Sequence, residues 1–124
     1  MTKTVYPSPP PYPFAKAVRA GDFVFVSGQL PFGPDGQMLH GPIEVQTRQV
    51  LENIKAVLEE TGCDLADVVK TTIWLEEERD LPGFNNVYAE YFGEEPPDRA
   101  TVGAKLMLDA KIEIETLAYK PLPN

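Results

Sequence analysis

Cysteine and histidine are almost absent from this 124-residue chain, which has one of each, Cys63 and His40. A single cysteine cannot form an internal disulfide. Metal sites and Cys/His nucleophile pairs usually recruit several such groups at once, so these two residues are poor candidates for either kind of site. The sequence also has no glycine-rich phosphate-binding loop. We therefore expect a protein that works without a metal or a nucleotide cofactor.

Long apolar runs and an excess of positive charge are also missing. No segment approaches the roughly 20 apolar residues that span a bilayer, and no apolar signal segment precedes the N-terminal prolines. The 11 lysines and arginines against 19 aspartates and glutamates give a net charge of −8, which repels phosphate backbones. These features favour a cytoplasmic protein that binds neither nucleic acid nor anionic membranes.

The sequence does contain the regular hydrophobic patterning of a globular protein. With 124 residues, 43% of them hydrophobic and 24% charged, the chain is long enough for one domain with a core and too short for two. The patterns predict an extended N-terminal arm over 1–13, a hairpin of strands 14–20 and 23–27, a helix over 44–61, a strand over 68–76, a helix over 81–92, and a hairpin of strands 99–104 and 111–115. This order predicts an α+β domain in which two helices cover one face of a mixed, mostly antiparallel sheet.

The strand that begins at Phe23 points to an oligomer. Its run Phe23-Val24-Phe25-Val26 is apolar on both faces, as in a central strand that is buried from two sides. Two helices can cover only one face of the sheet, so the other face needs a different cover. We expect further subunits to provide it.

The C-terminal part of the chain holds a distinctive pair of charges, Arg99 and Glu113. Arg99 opens a strand of small and apolar residues, and Glu113 lies within residues 111–115, which alternate as in a half-buried strand. If these strands pair as a hairpin, the two side chains need not touch within one subunit, although they can line one pocket. Taken alone, each charge is more simply explained as a solvated surface group, with Arg99 paired to an acid of segment 94–98.

The segment Pro97-Asp98-Arg99-Ala100-Thr101-Val102, followed closely by Lys111-Ile112-Glu113-Ile114-Glu115, resembles the C-terminal signature of the Rid (YjgF-type) reactive intermediate deaminases. Ser27-Gly28-Gln29 and Asn85 fall where that family has its other motifs, so the resemblance covers nearly the whole chain. It implies a chorismate-mutase-like fold whose sheets form a trimeric barrel with the helices outside. It also implies cofactor-independent hydrolysis of reactive 2-imino or enamine acids to 2-oxo acids and ammonia, in clefts between the subunits of a homotrimer.

The resemblance further implies roles for individual residues. Arg99 would hold the substrate carboxylate, and Glu113 would position or deprotonate the attacking water. The other implied pocket residues are Ser27, Gly28, Asn85, Phe14 and Thr101, the last through its backbone groups. Phe14 stands where many members have tyrosine, and Thr101 where many have cysteine. The missing tyrosine hydroxyl is expected to alter substrate fit.

Simpler explanations compete with several of these roles. The Ser27 hydroxyl suits a bond to the backbone at a strand end, and Asn85, predicted to be a partly buried amide at the edge of its helical stripe, suits the anchoring of a loop. A trimer that binds a metabolite or a protein in the same cleft without turnover would also need Arg99. An endoribonuclease, a role assigned to some members of the family, is disfavoured by the net charge of −8 and the lack of a histidine pair.

Overall fold

Six strands and two α-helices are present in residues 3–123, the part of the chain that the computed structural model describes. In chain order the elements are β1 Lys3–Pro7, β2 Ala15–Ala20, β3 Phe23–Gln29, α1 Ile43–Glu60, β4 Val68–Leu75, α2 Leu81–Phe92, β5 Asp98–Gly103 and β6 Ile112–Tyr119. Single-turn 3-10 helices, Leu65–Asp67 and Glu78–Asp80, precede β4 and α2.

The six strands form one sheet in the order β1-β2-β3-β6-β4-β5. β4 and β5 run parallel, whereas all other neighbours run antiparallel. β4 and β5 are parallel because α2 returns the chain to the end of the sheet where β4 began. The predicted mixed, mostly antiparallel sheet with two helices is confirmed.

The predicted C-terminal hairpin is wrong, because β4 lies between β5 and β6. β6 pairs with one edge of β4, placing Glu113 opposite Trp74, and β5 pairs with the other edge, placing Arg99 opposite Thr71. Residues 104–111 connect β5 to β6 and are long enough to pass β4, unlike the two-residue turn of a tight hairpin. Alternating polarity identifies a strand but leaves its pairing partner open, and the prediction failed at that point.

Part of the predicted N-terminal arm is a strand. Residues Lys3–Pro7 form β1, which pairs antiparallel with β2 at the edge of the sheet. Only the last of these residues is proline, so the preceding ones keep the backbone N–H groups that a strand ladder needs. Residues 8–14 then form an irregular connection to β2, and residues 1 and 2 of the predicted arm lie outside the described residues.

The core lies between the two helices and one face of the sheet. The fully buried side chains of α1 recur every three or four residues, namely Val50, Leu51, Ile54 and Leu58. Gly62 follows the last turn of α1 with a φ of +85°, a conformation that favours glycine. Within residues 3–123 neither helix combines the length and the apolar character needed to cross a membrane.

The other face of the sheet is open in a single chain. On β3, Val24 and Val26 are buried on the helix side, whereas Phe23 and Phe25 are 42% and 49% exposed. The ring of Phe23 lies 5.2 Å from the ring of Tyr119 on β6. This is the face for which the sequence predicts cover by further subunits, and the uncovered rings form an apolar surface of the kind that an assembly buries.

We expect further copies of the chain to cover the open face, giving a homo-oligomer in solution, with three copies as the resemblance implies. Light scattering should then give about three times the 13.8 kDa mass of one chain. Phe25→Glu adds a charge to this face and should dissociate the oligomer. Val45→Glu, at an exposed position of α1, is the matched control and should leave it intact. A monodisperse wild-type monomer at micromolar concentration would contradict the prediction.

Candidate functional site

Arg99 lies on the edge strand β5, with its side chain on the helix side of the sheet. Its register partner Thr71 is buried against α2. The guanidinium carbon of Arg99 lies 5.0 Å from the ring centroids of both Phe84 and Tyr88 on that helix. Both rings are buried in the core, so they form a fixed apolar platform for the guanidinium and attract it through their π faces.

The polar contacts of Arg99 leave most of its guanidinium unused. Its Nε donates to Oγ1 of Thr101, which lies two residues further along the same face of β5, at 2.8 Å. Within residues 3–123 no carboxylate forms an ion pair with Arg99, so the pairing with an acid of segment 94–98 is not observed. The terminal nitrogens Nη1 and Nη2 make no hydrogen bond to this part of the chain.

A buried hydrogen bond fixes one of the two rings beneath Arg99. The hydroxyl oxygens of Tyr88 and Thr71 lie 2.6 Å apart, and both residues are buried. Burial raises the pKa of the Tyr88 phenol above its ordinary value, so the phenol keeps its proton at neutral pH. From the sequence, Tyr88 is predicted only as a core residue. The signal in the sequence for its second role, the support of Arg99, is its four-residue spacing from Phe84, which places both rings on one helix face.

Glu113 lies on β6, on the face of the sheet opposite the helices. Ile112 and Ile114 on either side of it are fully buried on the helix side, so Glu113 points to the open face beside Trp74. Its side chain is half-buried. Burial raises the pKa of the Glu113 carboxyl, and the nearby Glu115 carboxylate raises it further. The raised pKa makes Glu113 a stronger proton acceptor than an ordinary surface glutamate.

Because Gly28 has no side chain, the Glu113 carboxylate can lie directly against its backbone. The pairing of β3 with β6 shifts register between Val26 and Gln29, and this irregularity brings the Gly28 backbone against Glu113. A Cβ atom at position 28 would overlap Oε2 of Glu113 and lie 3.0 Å from its Cδ. Any side chain at this position would push the carboxylate aside, so its present position depends on glycine at position 28.

Ser27 is bonded to the backbone, as its simpler explanation predicts. Its Oγ donates to the carbonyl oxygen of Ala15 at 2.6 Å, which leaves the hydroxyl oxygen able to accept a further bond but not to donate one. Phe14, which precedes Ala15, is 55% exposed, and its ring lies 5.6 Å from that of Tyr12. The Ser27 bond therefore holds Phe14 near the strand end that leads to Gly28.

Asn85 is exposed, so the prediction of a partly buried amide is wrong. α2 turns its apolar side chains toward the sheet, and Asn85 lies outside the stripe that they form. The asparagine that anchors a loop is Asn53 on α1, whose Nδ2 donates to the carbonyl oxygens of Leu30 and Phe32 at 3.0 and 2.9 Å. These two bonds hold the loop that follows β3.

In one chain the predicted site residues on the sheet lie in two separate places. The arginine half-site, on the helix side at the β5 edge, comprises Arg99, Thr101, Phe84 and Tyr88. The glutamate half-site comprises Glu113 and Gly28 on the open face, with Ser27 and Phe14 beside them. Because register pairs alternate between the two faces, β4 separates the half-sites and a single chain does not join them.

A separate cleft of about 600 Å³ contains neither half-site. It is lined by His40, Gln46, Arg79, Asp109 and Lys111, among others. The contact between His40 and Asp109 is 4.0 Å long and exposed, so it does not fix either group. Within residues 3–123 no cluster of 3 or more histidine, cysteine, aspartate or glutamate side chains is placed to hold a metal ion.

The chain resembles known proteins along almost its whole length. A model of the family described as endoribonuclease L-PSP matches residues 7–120. A RutC family protein of Pyrococcus horikoshii is 50% identical over 110 residues, which are 87% of this chain and 87% of that protein. An Acinetobacter baylyi protein named 3-aminoacrylate deaminase RutC is 44% identical over 115 residues, which are 90% of this chain and 91% of that protein.

A solved structure shares the fold. The crystal structure of YyfA from Yersinia pestis, a member of the conserved Rid protein family, matches with a TM-score of 0.88 and 37% identity, over 95% of this chain and 99% of that one. The fold that the resemblance implies for one chain is therefore confirmed, and its trimeric assembly stays a prediction. The matched residues 7–120 include every member of both half-sites. The chain belongs to the endoribonuclease L-PSP family, whose members also carry the names Rid, RutC and YjgF.

Proposed function

We propose that this protein hydrolyses reactive 2-imino or enamine acids to 2-oxo acids and ammonia without a cofactor. The observation that carries the proposal is the environment of Arg99. In a chain of net charge −8, its guanidinium is held by two rings and a hydroxyl and has no carboxylate partner within residues 3–123. Such a cation is available for the carboxylate of a small molecule. The Acinetobacter baylyi relative, by its name, deaminates 3-aminoacrylate, an enamine acid.

Arg99 binds and orients the substrate in this proposal. A guanidinium forms two parallel hydrogen bonds with a carboxylate, which fix the position and the plane of the bound group. The carboxylate is attached directly to the carbon of the C=N bond. Binding it therefore also fixes the direction from which water can reach that carbon.

Glu113 activates the water. Its carboxylate accepts a proton from water as the water oxygen bonds to the C=N carbon, and the imine nitrogen gains a proton. The hydroxyl proton of the resulting amino alcohol then passes to its nitrogen, the C–N bond breaks, ammonia leaves, and the oxygen becomes the carbonyl of the 2-oxo acid. An enamine enters the same route after its carbon has taken up a proton to form the imine. Water is the only co-reactant, so no redox partner is needed.

The two half-sites must meet for this reaction, and the proposal places their meeting between the subunits of a homotrimer. The arginine half-site lies at the β5 edge of the sheet, and the glutamate half-site lies on its open face. When three sheets close a barrel around their open faces, the edge of one sheet adjoins the open face of the next. Each cleft would then have Ser27, Gly28 and Phe14 beside the water, and Asn85 and Thr101 beside the carboxylate.

Two other functions compete with this proposal. A trimer that binds a metabolite or a protein in the same cleft without turnover would use Arg99 as well. The family's description as an endoribonuclease favours RNA cleavage, whereas the net charge of −8 and the single histidine argue against it. Parallel assays separate the three functions: decay of imines generated in place by an amino-acid oxidase, binding of a stable 2-oxo acid, and cleavage of an RNA.

Replacing Arg99 by lysine tests the binding role. Arg99→Lys keeps the charge but loses the planar fork, so one hydrogen bond to the substrate carboxylate is lost. Such a bond to a charged group contributes about 1.5–3 kcal/mol, which predicts roughly a tenfold to hundredfold fall in kcat/KM for imine hydrolysis. Arg79→Lys, at an exposed arginine that pairs with Glu77, should leave hydrolysis unchanged. Wild-type binding and turnover by Arg99→Lys would show that the assigned role is wrong.

Glu113→Gln keeps the size of the side chain and removes the base. Hydrolysis should fall by about a hundredfold to ten-thousandfold, while affinity for a stable 2-oxo acid should persist. Because the base acts when deprotonated, wild-type kcat/KM should decline as pH falls through the raised pKa of Glu113. Glu115→Gln removes the second cause of that raised pKa, so the decline should move to lower pH. Full activity of Glu113→Gln, or an unmoved profile in Glu115→Gln, would count against this assignment.

Chelation tests the proposed independence from metals. Histidine and cysteine are too scarce to favour a bound metal, and no glycine-rich loop favours a bound nucleotide. Hydrolysis should therefore survive exhaustive chelation and dialysis without added metal or nucleotide. The measurement is kcat/KM before and after treatment. Loss of activity that an added metal restores would refute the prediction.

A further inference from the structure

We propose that Thr101 is a positioning residue that determines which edge of the Arg99 guanidinium meets the substrate carboxylate. The inference rests on the proposed function and extends it to the geometry of substrate binding. Its central observation is the hydrogen bond of 2.8 Å from Nε of Arg99 to Oγ1 of Thr101. The side chain of Thr101 thereby acquires a role distinct from the backbone contribution that the resemblance implies.

A guanidinium can bind a carboxylate along two kinds of edge. The side-on edge uses the Nε–H group together with one terminal nitrogen, and the end-on edge uses the two terminal nitrogens Nη1 and Nη2. In this structure the Nε–H of Arg99 donates to Thr101, so a carboxylate could bind side-on only by breaking this bond, which favours the end-on mode. Nη1 and Nη2 make no hydrogen bond within residues 3–123 and remain as the end-on pair.

The aromatic platform and the hydroxyl constrain different motions of the guanidinium. The rings of Phe84 and Tyr88, each 5.0 Å from its central carbon, limit its movement toward the core. Tyr88 is itself held by its bond to Thr71. The Thr101 hydroxyl then limits rotation of the guanidinium over the rings, because rotation would break the Nε bond. Together they aim the end-on edge away from the core, with its orientation set before the substrate arrives.

Threonine suits this role because of its branching at Cβ. Two heavy atoms on Cβ restrict χ1 in a strand, so the hydroxyl position is better defined than in serine. Arg99 and Thr101 are two residues apart on β5 and therefore point to the same side, where the bond can form without distortion of the strand. Valine has the same shape and branching but cannot accept the hydrogen bond.

Thr101→Val is the test variant, with Thr101→Ser as the conservative rescue. Loss of one neutral acceptor should raise the Kd of a stable 2-oxo acid, and the KM for the imino acid, about three- to tenfold, and Thr101→Ser should stay within about twofold of wild type. Thr4→Val, the same change at an exposed position of β1, is the control and should have no effect. Circular dichroism and light scattering should show the same fold and assembly in all variants.

A double-mutant cycle with Arg99→Lys shows whether Thr101 acts through the guanidinium. Lysine has no Nε–H donor beside its charged end group, so Thr101→Val should cause no further loss of affinity in the Arg99→Lys background. Equal affinity of wild type and Thr101→Val, or an undiminished loss in the Arg99→Lys background, would overturn the role of Thr101. Absence of imine hydrolysis with the affinity pattern intact would overturn the proposed function alone. A wild type without affinity for the 2-oxo acid would overturn both.

Discussion

The position of β4 between β5 and β6 is the constraint on which the rest of the structure depends. β4 bonds to β5 in parallel on one side and to β6 in antiparallel on the other. Side chains alternate between the faces of a strand, and register carries that alternation to its neighbours. Arg99 therefore shares a face with buried Thr71, and Glu113 shares the opposite face with Trp74. A slip of one residue in either pairing would exchange these faces and remove one half-site.

Local sequence patterns predict a helix or strand when its residues also mark where it begins and ends. They do not predict which strands pair with each other. The apolar stripe of α1 and the glycine after it lie within one short stretch of sequence, and the predicted helix is confirmed. The pairing of β5 with β4 depends on the return path of α2, which no pattern within residues 98–119 contains. Arg99 and Glu113 were found through a family resemblance, because their charges alone do not distinguish a site from a solvated surface.

Burial was hardest to predict where it depends on a distant element. Asn85 lies one position from the buried Phe84, yet the rotation of α2 leaves it exposed. Phe25 belongs to a strand that is apolar on both faces, and the strand sequence alone does not tell which face the helices cover and which stays open in a single chain. Tyr88 has the sequence signature of a core residue, and only the tertiary structure shows that the ring also supports a cation. In each case burial or contact depends on where another element of the structure lies, which the local sequence does not give.

Gly28 and Glu113 are coupled across two strands of the sheet. A side chain at position 28 would push the end of the glutamate side chain out of its present position, so selection there depends on a residue 85 positions away along the chain. Once a shorter residue replaced Glu113, alanine or serine at position 28 would no longer meet a carboxylate. A glutamate that returned afterwards would have to place its carboxylate elsewhere. The order in which the two positions change therefore decides whether the carboxylate can regain its present place.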